Sequence, residues 1–235
     1  MGTISDVLYC ARDWIGYSRW TDPEEGTVFG RWFAEKTGEP YFGTSGVPYC
    51  AMFASYCLDW AGVPCAGMPS AYCPDIVNAG REAGCTPYNE DAEPGDLVLF
   101  DWGGDGLADH IGIVEENHPD EGYMTTIEGN TSSGSAGSQS NGGVVARRQR
   151  GYGSICCVVR PDYNENQEED MLTEHQDMLL ATIYEQQVGT YDPTGRGVAL
   201  NDHDHIKWIG KAVDDLADDV KEIKGQLAAI AEKLD

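Results

Sequence analysis

The sequence predicts an α+β domain, in which N-terminal helices pack on an antiparallel sheet, followed by a C-terminal helical coiled-coil tail. Helical apolar spacing dominates residues 4–83, whereas short β-rich runs dominate residues 97–160. Helices that precede strands in this way are typical of α+β domains with antiparallel sheets. The tail is predicted from a regular heptad pattern near the C-terminus.

Four segments in the first part of the chain have the apolar spacing of amphipathic helices. In the first of them, Thr3 is placed to cap the first turn. Each of the other three stops at a glycine, which fits a left-handed helix end. The predicted helices are 4–15, 27–37, 50–61 and 74–83, and the glycines are Gly38, Gly62 and Gly84.

From Pro94 the pattern changes to β-rich runs separated by Gly, Asp and Asn. The predicted strands are Leu97–Phe100, His110–Glu115, Tyr123–Glu128, Val144–Arg150 and Ile155–Arg160. The stretch Thr131–Gly143, nearly all Ser, Gly, Asn and Gln, predicts a mobile loop between two strands. We interpret the basic cluster of Arg147, Arg148 and Arg150 as the alternating outer face of the fourth strand.

The chain is predicted to divide into three parts. Pro161 and the polar run after it close the first domain, residues 1–163. A short helix at about 168–187 and a connector rich in Gly and Pro make up residues 164–204. Residues 205–235 are predicted to form an oligomerisation helix.

The last part carries an a/d heptad seam from Ile206 to Leu234, whose nine apolar residues advance alternately by three and four positions. A single amphipathic helix folded back on the domain is the alternative, although its apolar stripe would normally be wider. A regular period of 3.5 residues favours a supercoiled partner helix. Leucine at a and isoleucine at d in the last heptads favour a trimer or tetramer.

Composition limits the possible partners. The formal charge of −25, from 15 basic and 40 acidic residues, repels phosphate backbones, so no nucleic-acid partner is expected. No apolar run is long enough to span a bilayer, so no membrane partner is expected. Residues 1–6 lack the basic and apolar regions of a secretory signal, and we expect synthesis as a soluble cytosolic protein without a signal peptide.

The eight cysteines are too sparse for a disulfide scaffold, so most are expected to be reduced core thiols. Their spacings do not form the paired C-x-x-C motifs of a zinc site. The segment Asp202–His205 resembles a metal cluster in composition, but its place at the start of the coiled coil favours a helix cap. No metal and no cofactor are therefore expected.

Cys50 opens a predicted helix, and a helix N-terminus together with an imidazolium lowers the pKa of a thiol. His110 begins a strand directly after a Gly-rich turn. Glu128 ends the next strand, and Asn130 follows two residues later. Either of these two side chains would hold the second ring nitrogen of His110, as the third member of a catalytic triad does.

Four segments in this order resemble the cysteine, histidine-dependent amidohydrolase/peptidase (CHAP) domain of bacteriophage endolysins and bacterial autolysins. They are Gly46–Phe53, Glu93–Phe100, Asp109–Glu115 and Ile127–Thr131. The resemblance covers about residues 3–162 and implies a papain-like fold. It implies that Cys50 is the nucleophile, His110 the base, and Glu128 with Asn130 the orienting pair.

The chain departs from that family in two places. Many relatives have Gln immediately before the nucleophile, where this chain has Tyr49. Some phage relatives also carry an acidic calcium loop just upstream of the nucleophile, whereas Tyr41–Tyr49 contains no Asp or Glu. The resemblance therefore leaves the backbone N–H of Cys50 as the oxyanion donor and implies no calcium at that position.

The resemblance implies a phage or prophage endolysin that cleaves peptidoglycan amides, as an N-acetylmuramoyl-L-alanine amidase or as an endopeptidase. Its partner would be the peptidoglycan of a Gram-positive host. It would be made in the host cytoplasm and reach the cell wall after release by a holin. Two alternatives stay open, namely an exported or tail-associated wall hydrolase, and a catalytically silent wall-binding or scaffold module.

The heptad seam predicts that the intact 25.6-kDa chain assembles into trimers or tetramers at micromolar concentration. Ile223→Asp should yield monomers, because the new charge would be desolvated in the seam without a partner. Light scattering of both proteins is the measurement. A monomeric mass for the unmutated chain would show that the helix packs on its own domain instead.

Overall fold

The computed structural model describes residues 2–134 and 137–163. Three sequence predictions lie outside the described residues. They are the helix at about 168–187, the cluster Asp202–His205 and the coiled-coil helix Ile206–Leu234. They stay predictions, as do the domain boundaries.

All four predicted helices are present, with ends within two residues of the predicted ones. They are α1 (Ile4–Asp13), α2 (Val28–Thr37), α3 (Cys50–Ala61) and α4 (Cys73–Ala83). Thr3 caps α1, because its hydroxyl accepts the N–H of Asp6 at 3.1 Å while the Asp6 carboxylate accepts the N–H of Thr3 at 2.9 Å. The residues that end α2, α3 and α4 are left-handed glycines, as predicted. None of the described helices combines the length and the apolar character needed to cross a membrane.

The strands form one antiparallel sheet in the order β4-β3-β2-β1-β5. They are β1 (Leu97–Phe100), β2 (His110–His118), β3 (Tyr123–Thr131), β4 (Val144–Gly151) and β5 (Ile155–Val159). Strands β2 and β3 extend beyond the predicted Glu115 and Glu128, because their ends pair with residues on neighbouring strands. The predicted mixture of helices and an antiparallel sheet is confirmed.

Both faces of the sheet are buried. Leu97 and Leu99 of β1 join the main core with the apolar residues of α1 and α3. The alternate residues Val98 and Phe100 join a smaller cluster on the opposite face. Because side chains alternate along a strand, burial on both faces explains why β1 is apolar throughout.

Gly129 lets α3 pack directly on β3. A Cβ atom at this position would lie 2.5 Å from the Cβ of Phe53, far inside the normal contact distance. Asn130 follows in the left-handed region with φ of 61°, and the pairing with β4 shifts register between Glu128 and Thr131. This bulge and close packing position the strand that carries Glu128 against the helix that begins at Cys50.

The stretch predicted as a mobile loop joins β3 to β4, and its described residues are hydrogen-bonded to the domain. Gln139 Oε1 accepts hydrogen bonds from Arg148 at 2.8 Å and Arg150 at 3.1 Å. The carbonyl oxygen of Ser140 accepts one from Asn130 Nδ2 at 2.9 Å. The polar composition that predicted mobility therefore supplies partners for charged and polar side chains of the sheet.

Candidate active site

Cys50 is the first residue of α3, and its side chain is almost fully buried. Its Sγ lies 4.0 Å from the Sγ of Cys73, which is the first residue of α4. Two helix N-termini therefore converge on this pair of sulfur atoms. The partial positive charge of a helix N-terminus favours an anion, so the location suits a thiolate.

The surroundings of Cys50 lower the pKa of its thiol well below the ordinary value. The largest contribution is a hydrogen bond from Cys73, which outweighs the opposing effect of burial. The charge of His110 and the backbone N–H of Ala51 lower the pKa further. The lowered pKa favours the thiolate form of Cys50, which is the form that a nucleophilic cysteine uses.

Tyr49 supplies no side-chain group to an open cleft. Its ring is fully buried and stacks on Phe29, with ring centroids 5.4 Å apart. The guanidinium carbon of Arg19 lies 5.4 Å from the centroid of the Tyr49 ring. The position that is Gln in many CHAP relatives thus serves packing here.

His110 begins β2 and is fully buried. The loop before it is held by Asp109, whose carboxylate accepts the N–H groups of Trp102 at 2.8 Å and Gly103 at 3.1 Å. That loop places the Trp102 ring against the imidazole, with centroids 5.2 Å apart and an interplanar angle of 28°. Trp102 therefore covers the imidazole and restricts its rotation.

One nitrogen of His110 binds Glu128, because Nε2 lies 3.0 Å from Glu128 Oε2. An ionised carboxylate only accepts hydrogen bonds, so Nε2 carries a proton. The other nitrogen, Nδ1, is buried and has no hydrogen-bond partner among the described residues. In the neutral ring Nδ1 is thus the free acceptor, as a base that takes the proton of Cys50 must be.

Glu128 is held in place by Arg150 and Thr126. Arg150 donates from Nε to Oε1 at 2.7 Å and from Nη2 to Oε2 at 2.6 Å, a bidentate pair. The hydroxyl of Thr126 donates to Oε1 at 2.7 Å. With His110, the carboxylate receives four hydrogen bonds, which keep it ionised and fixed although it is fully buried.

The location of Arg150 corrects the interpretation of the basic cluster as an outer strand face. Arg150 is buried beneath the Trp102 and Phe100 rings, with its guanidinium 5.2 Å and 5.6 Å from their centroids. The Arg147 side chain, by contrast, is half exposed and pairs with Glu115. The partner of Arg150 is a carboxylate on the neighbouring strand, which the alternation within β4 does not reveal.

Gly112 provides the space that Glu128 occupies. A Cβ atom on Gly112 would lie 2.8 Å from Glu128 Cγ and 3.3 Å from Thr126 Cβ. The side chain of Glu128 would have to leave its position to avoid this contact. The position of Gly112 in β2 therefore requires glycine, because any side chain there would displace the Glu128 carboxylate of β3.

Asn130 lies near the site but is bonded elsewhere. Its Oδ1 accepts a short hydrogen bond from Arg19, and its Nδ2 donates to the carbonyl oxygen of Ser140 at 2.9 Å. The structure thus joins His110 to Glu128 and sets Cys50 beside them, whereas Asn130 makes no hydrogen bond to the imidazole. The orienting role expected for Asn130 stays a prediction.

The charges within the site support one another. Burial acts to lower the pKa of His110, but the nearby Cys50 thiolate, and then the hydrogen bond and charge of Glu128, raise it to about 9. Burial acts to raise the pKa of Glu128, but Arg150 and His110 lower it to about 2. The opposite directions of these shifts favour a thiolate, an imidazolium, a carboxylate and a guanidinium in alternating charge order.

Sequence reasoning missed Cys73, Arg150, Gly112 and Trp102 as parts of the site. Cys73 had one local signal, its place at the start of a predicted helix. Arg150 and Gly112 had none, because their importance comes from pairing between strands. Trp102 lies in the Gly-rich turn before His110, so its proximity to the imidazole was readable, but its stacking was not.

Residues 41–130 match the sequence profile of the CHAP domain family. This match confirms the resemblance over those residues, which include Cys50, His110, Glu128 and Asn130. No curated protein matches the sequence.

Several solved structures are similar to this chain. The endolysin LysIME-EF1 is 16% identical with a TM-score of 0.46, over 71% of this chain and 68% of that one. An NlpC/P60 family protein from Bacillus cereus is 15% identical with a TM-score of 0.40, over 67% of this chain and 40% of that one. The structure of Ly7917 is 14% identical with a TM-score of 0.36, over 68% of this chain and 62% of that one. The chain thus spans less than two thirds of the latter two.

Arg150→Met should destabilise the fold by about 3–5 kcal/mol and lower activity at least about tenfold, because Glu128 would be left buried without its cation. Urea unfolding and a cell-wall hydrolysis assay measure the two effects. Arg147→Met is the matched control in the same strand, and it should cost less than Arg150→Met, because Arg12 still pairs with Glu115. Equal effects of the two substitutions would contradict the positioning role of Arg150.

Cys50 should react with iodoacetamide at pH 6, where an ordinary thiol with a pKa of about 8.5 is protonated.

Activity should fall as the pH rises through about 9, because His110 then loses the proton that a leaving amine needs. Protonated His110 also stabilises the fold. This contribution should be fully present below its ordinary pKa of 6.5 and should be lost as the pH rises through about 9.

Mass spectrometry of the Cys50 peptide measures alkylation against pH, and a midpoint near that of a free thiol would contradict the ion pair. Burial raises the pKa of Cys57, Cys65 and Cys156, so these thiols serve as internal unreactive controls.

Proposed function

We propose that the protein is a cysteine-dependent peptidoglycan hydrolase that cleaves amide bonds. The observation that carries this proposal is the buried set of Cys50, His110, Glu128 and Arg150, within or beside residues that match the CHAP domain. A thiol of lowered pKa, an imidazole with one free nitrogen and a fixed carboxylate are the groups that nucleophilic acyl transfer requires.

The reaction begins with attack of the Cys50 thiolate on the amide carbonyl carbon, which forms a C–S bond. Negative charge develops on the carbonyl oxygen, and the backbone N–H groups at the start of α3 are directed at such a charge. His110 donates its Nδ1 proton to the nitrogen of the amide, the C–N bond breaks, and the amine leaves. Water, deprotonated by His110, then attacks the thioester carbonyl. The C–S bond breaks, the carboxylic acid product leaves, and the Cys50 thiolate and the His110 imidazolium are restored.

Glu128 acts through His110 in both steps. Its hydrogen bond to Nε2 keeps Nδ1 directed at the thiol and stabilises the imidazolium when the proton is held there. Arg150 prevents the carboxylate from taking that proton, because it lowers the pKa of Glu128. The mechanism needs no metal and no cofactor.

We propose further that the enzyme is a phage or prophage endolysin that acts on the wall of a Gram-positive host after holin-type release. The match of residues 41–130 to the CHAP domain supports a wall hydrolase. The phage origin rests on the resemblance of the four segments to the CHAP domain of bacteriophage endolysins. The bond is either the muramoyl-L-alanine amide or a peptide bond of the stem or bridge. Mass spectrometry of fragments from digested peptidoglycan distinguishes these two, since each leaves a different new amine.

The competing hypothesis is a catalytically silent wall-binding module. A binding module has no need for four buried ionisable groups, since each buried charge costs free energy that only a precise partner offsets. The reactive thiol beside a base therefore favours an enzyme.

Cys50→Ala should abolish lysis and leave the fold intact, because only the nucleophilic sulfur is removed. The loss of turbidity of purified cell walls is the measurement. His110→Ala should be as severe, because the base and the proton donor are lost together.

Cys57→Ala is the matched control, since Cys57 lies in the same helix with a raised pKa and should not react. Lysis by Cys50→Ala within a few-fold of the unmutated protein would exclude the cysteine mechanism.

A further inference from the structure

The second thiol beside Cys50 has no part in the acyl-transfer steps. Cys73 comes from a different helix, 23 residues away along the chain, yet its Sγ lies 4.0 Å from Cys50 Sγ. Both side chains are almost fully buried, so the contact is built into the packing of α3 and α4. A hydrogen bond to the nucleophile needs only a donor, and a hydroxyl would serve as well as a thiol.

The two thiols differ in protonation. The hydrogen bond to Cys50 and burial raise the pKa of Cys73 well above the ordinary value, while the pKa of Cys50 is lowered. One sulfur is therefore a thiolate, which electrophilic oxidants attack first, and the other is a thiol in contact with it. This asymmetry is that of an attacking cysteine and a resolving cysteine.

The distance between the sulfur atoms permits a disulfide after a small movement. A disulfide bond is about 2.0 Å long, so the sulfur atoms must approach by about 2 Å from their present 4.0 Å. Cys50 and Cys73 are the first residues of their helices, where no preceding turn restricts the side-chain rotamers. Side-chain rotation can therefore supply much of the movement.

We propose that Cys73 is the resolving thiol of Cys50, and that a hydroperoxide converts the pair into a reversible disulfide that blocks the nucleophile. The disulfide itself depends only on the two thiols. Its effect on hydrolysis rests on the proposed function.

The chemistry proceeds in two steps. With hydrogen peroxide, the Cys50 thiolate attacks one oxygen, an S–O bond forms and the O–O bond breaks. The released hydroxide takes the proton of the His110 imidazolium and leaves as water. The sulfur of Cys73 then attacks the Cys50 sulfenic acid. An S–S bond forms, the S–O bond breaks, and the Cys73 proton leaves with the hydroxide as a second water. The two sulfur atoms together lose two electrons to the peroxide.

The disulfide protects as well as inhibits. A sulfenic acid without a neighbouring thiol is oxidised further to sulfinic acid, which thiol reductants do not reverse. Capture by Cys73 diverts Cys50 into a state that an external dithiol reduces, restoring both thiols. The pair therefore predicts an enzyme that loses activity under peroxide stress and recovers it in a reducing environment.

The experiment treats the full-length protein with hydrogen peroxide and then with dithiothreitol. The unmutated protein should lose activity at least about tenfold after peroxide and recover to within about twofold of its starting activity on reduction. A non-reducing digest should contain the Cys50 and Cys73 peptides as one cross-linked species, lighter by two hydrogen atoms than their sum. This mapping needs no variant, so it tests the inference even if a substitution impairs folding.

Cys73→Ser should lose activity under the same treatment without recovery, and its Cys50 peptide should gain two oxygen atoms. Activity is compared with that of the same variant before oxidation, since Cys73 also affects the pKa of Cys50. Cys156→Ser is the matched control, because Cys156 is a further thiol near Cys73. It should cross-link and recover like the unmutated protein.

A Cys50 that is oxidised without any cross-link to Cys73, or recovery that persists in Cys73→Ser, would overturn the inference. A cross-link between Cys73 and Cys156 in place of Cys50 would overturn it as well. A protein that cross-links as expected but never hydrolyses peptidoglycan would exclude the proposed function alone.

Discussion

The buried ion pair between Glu128 and Arg150 is the interaction on which the rest of the site depends. A carboxylate removed from water is costly unless a cation and hydrogen bonds replace its solvation, and Arg150 does this with two bonds of 2.6 Å and 2.7 Å. The fixed carboxylate in turn sets which nitrogen of His110 carries the proton. Arg150 lies two strands away from His110. Through Glu128 it therefore influences which nitrogen of His110 is free to exchange a proton with Cys50.

The order of the sheet makes this arrangement possible. Strands β4, β3 and β2 lie side by side, so Arg150, Glu128 and His110 come from three adjacent strands. Gly112 leaves room for the carboxylate, and Trp102 covers the imidazole and the guanidinium on the outside. Exclusion of water strengthens each of these electrostatic contacts, because the effective dielectric constant falls.

The environment of Cys50, the proposed nucleophile, is formed by the helices rather than by the sheet. The starts of α3 and α4 meet at two sulfur atoms, and the thiol of Cys73 stabilises the thiolate of Cys50. The same features that make a thiolate reactive toward a carbonyl make it sensitive to oxidants. Reactivity and susceptibility to oxidation thus have one physical origin in this site, and Cys73 is connected with both.

The sequence by itself determined the local elements and predicted Cys50, His110 and Glu128 as the reacting set. Apolar spacing, the Thr3 cap and the glycine stops specified the helices, because these signals act within a few residues. The apolar and β-branched runs likewise predicted the first residues of three strands, Leu97, His110 and Tyr123. Only the tertiary structure decided that β2 and β3 are longer than predicted and that Arg150 is buried with Glu128. It also decided that Asn130 binds Arg19 and that Cys73 contacts Cys50. Each of these depends on contacts between residues far apart in the chain, and local periodicity carries no information about which distant side chain will be the partner.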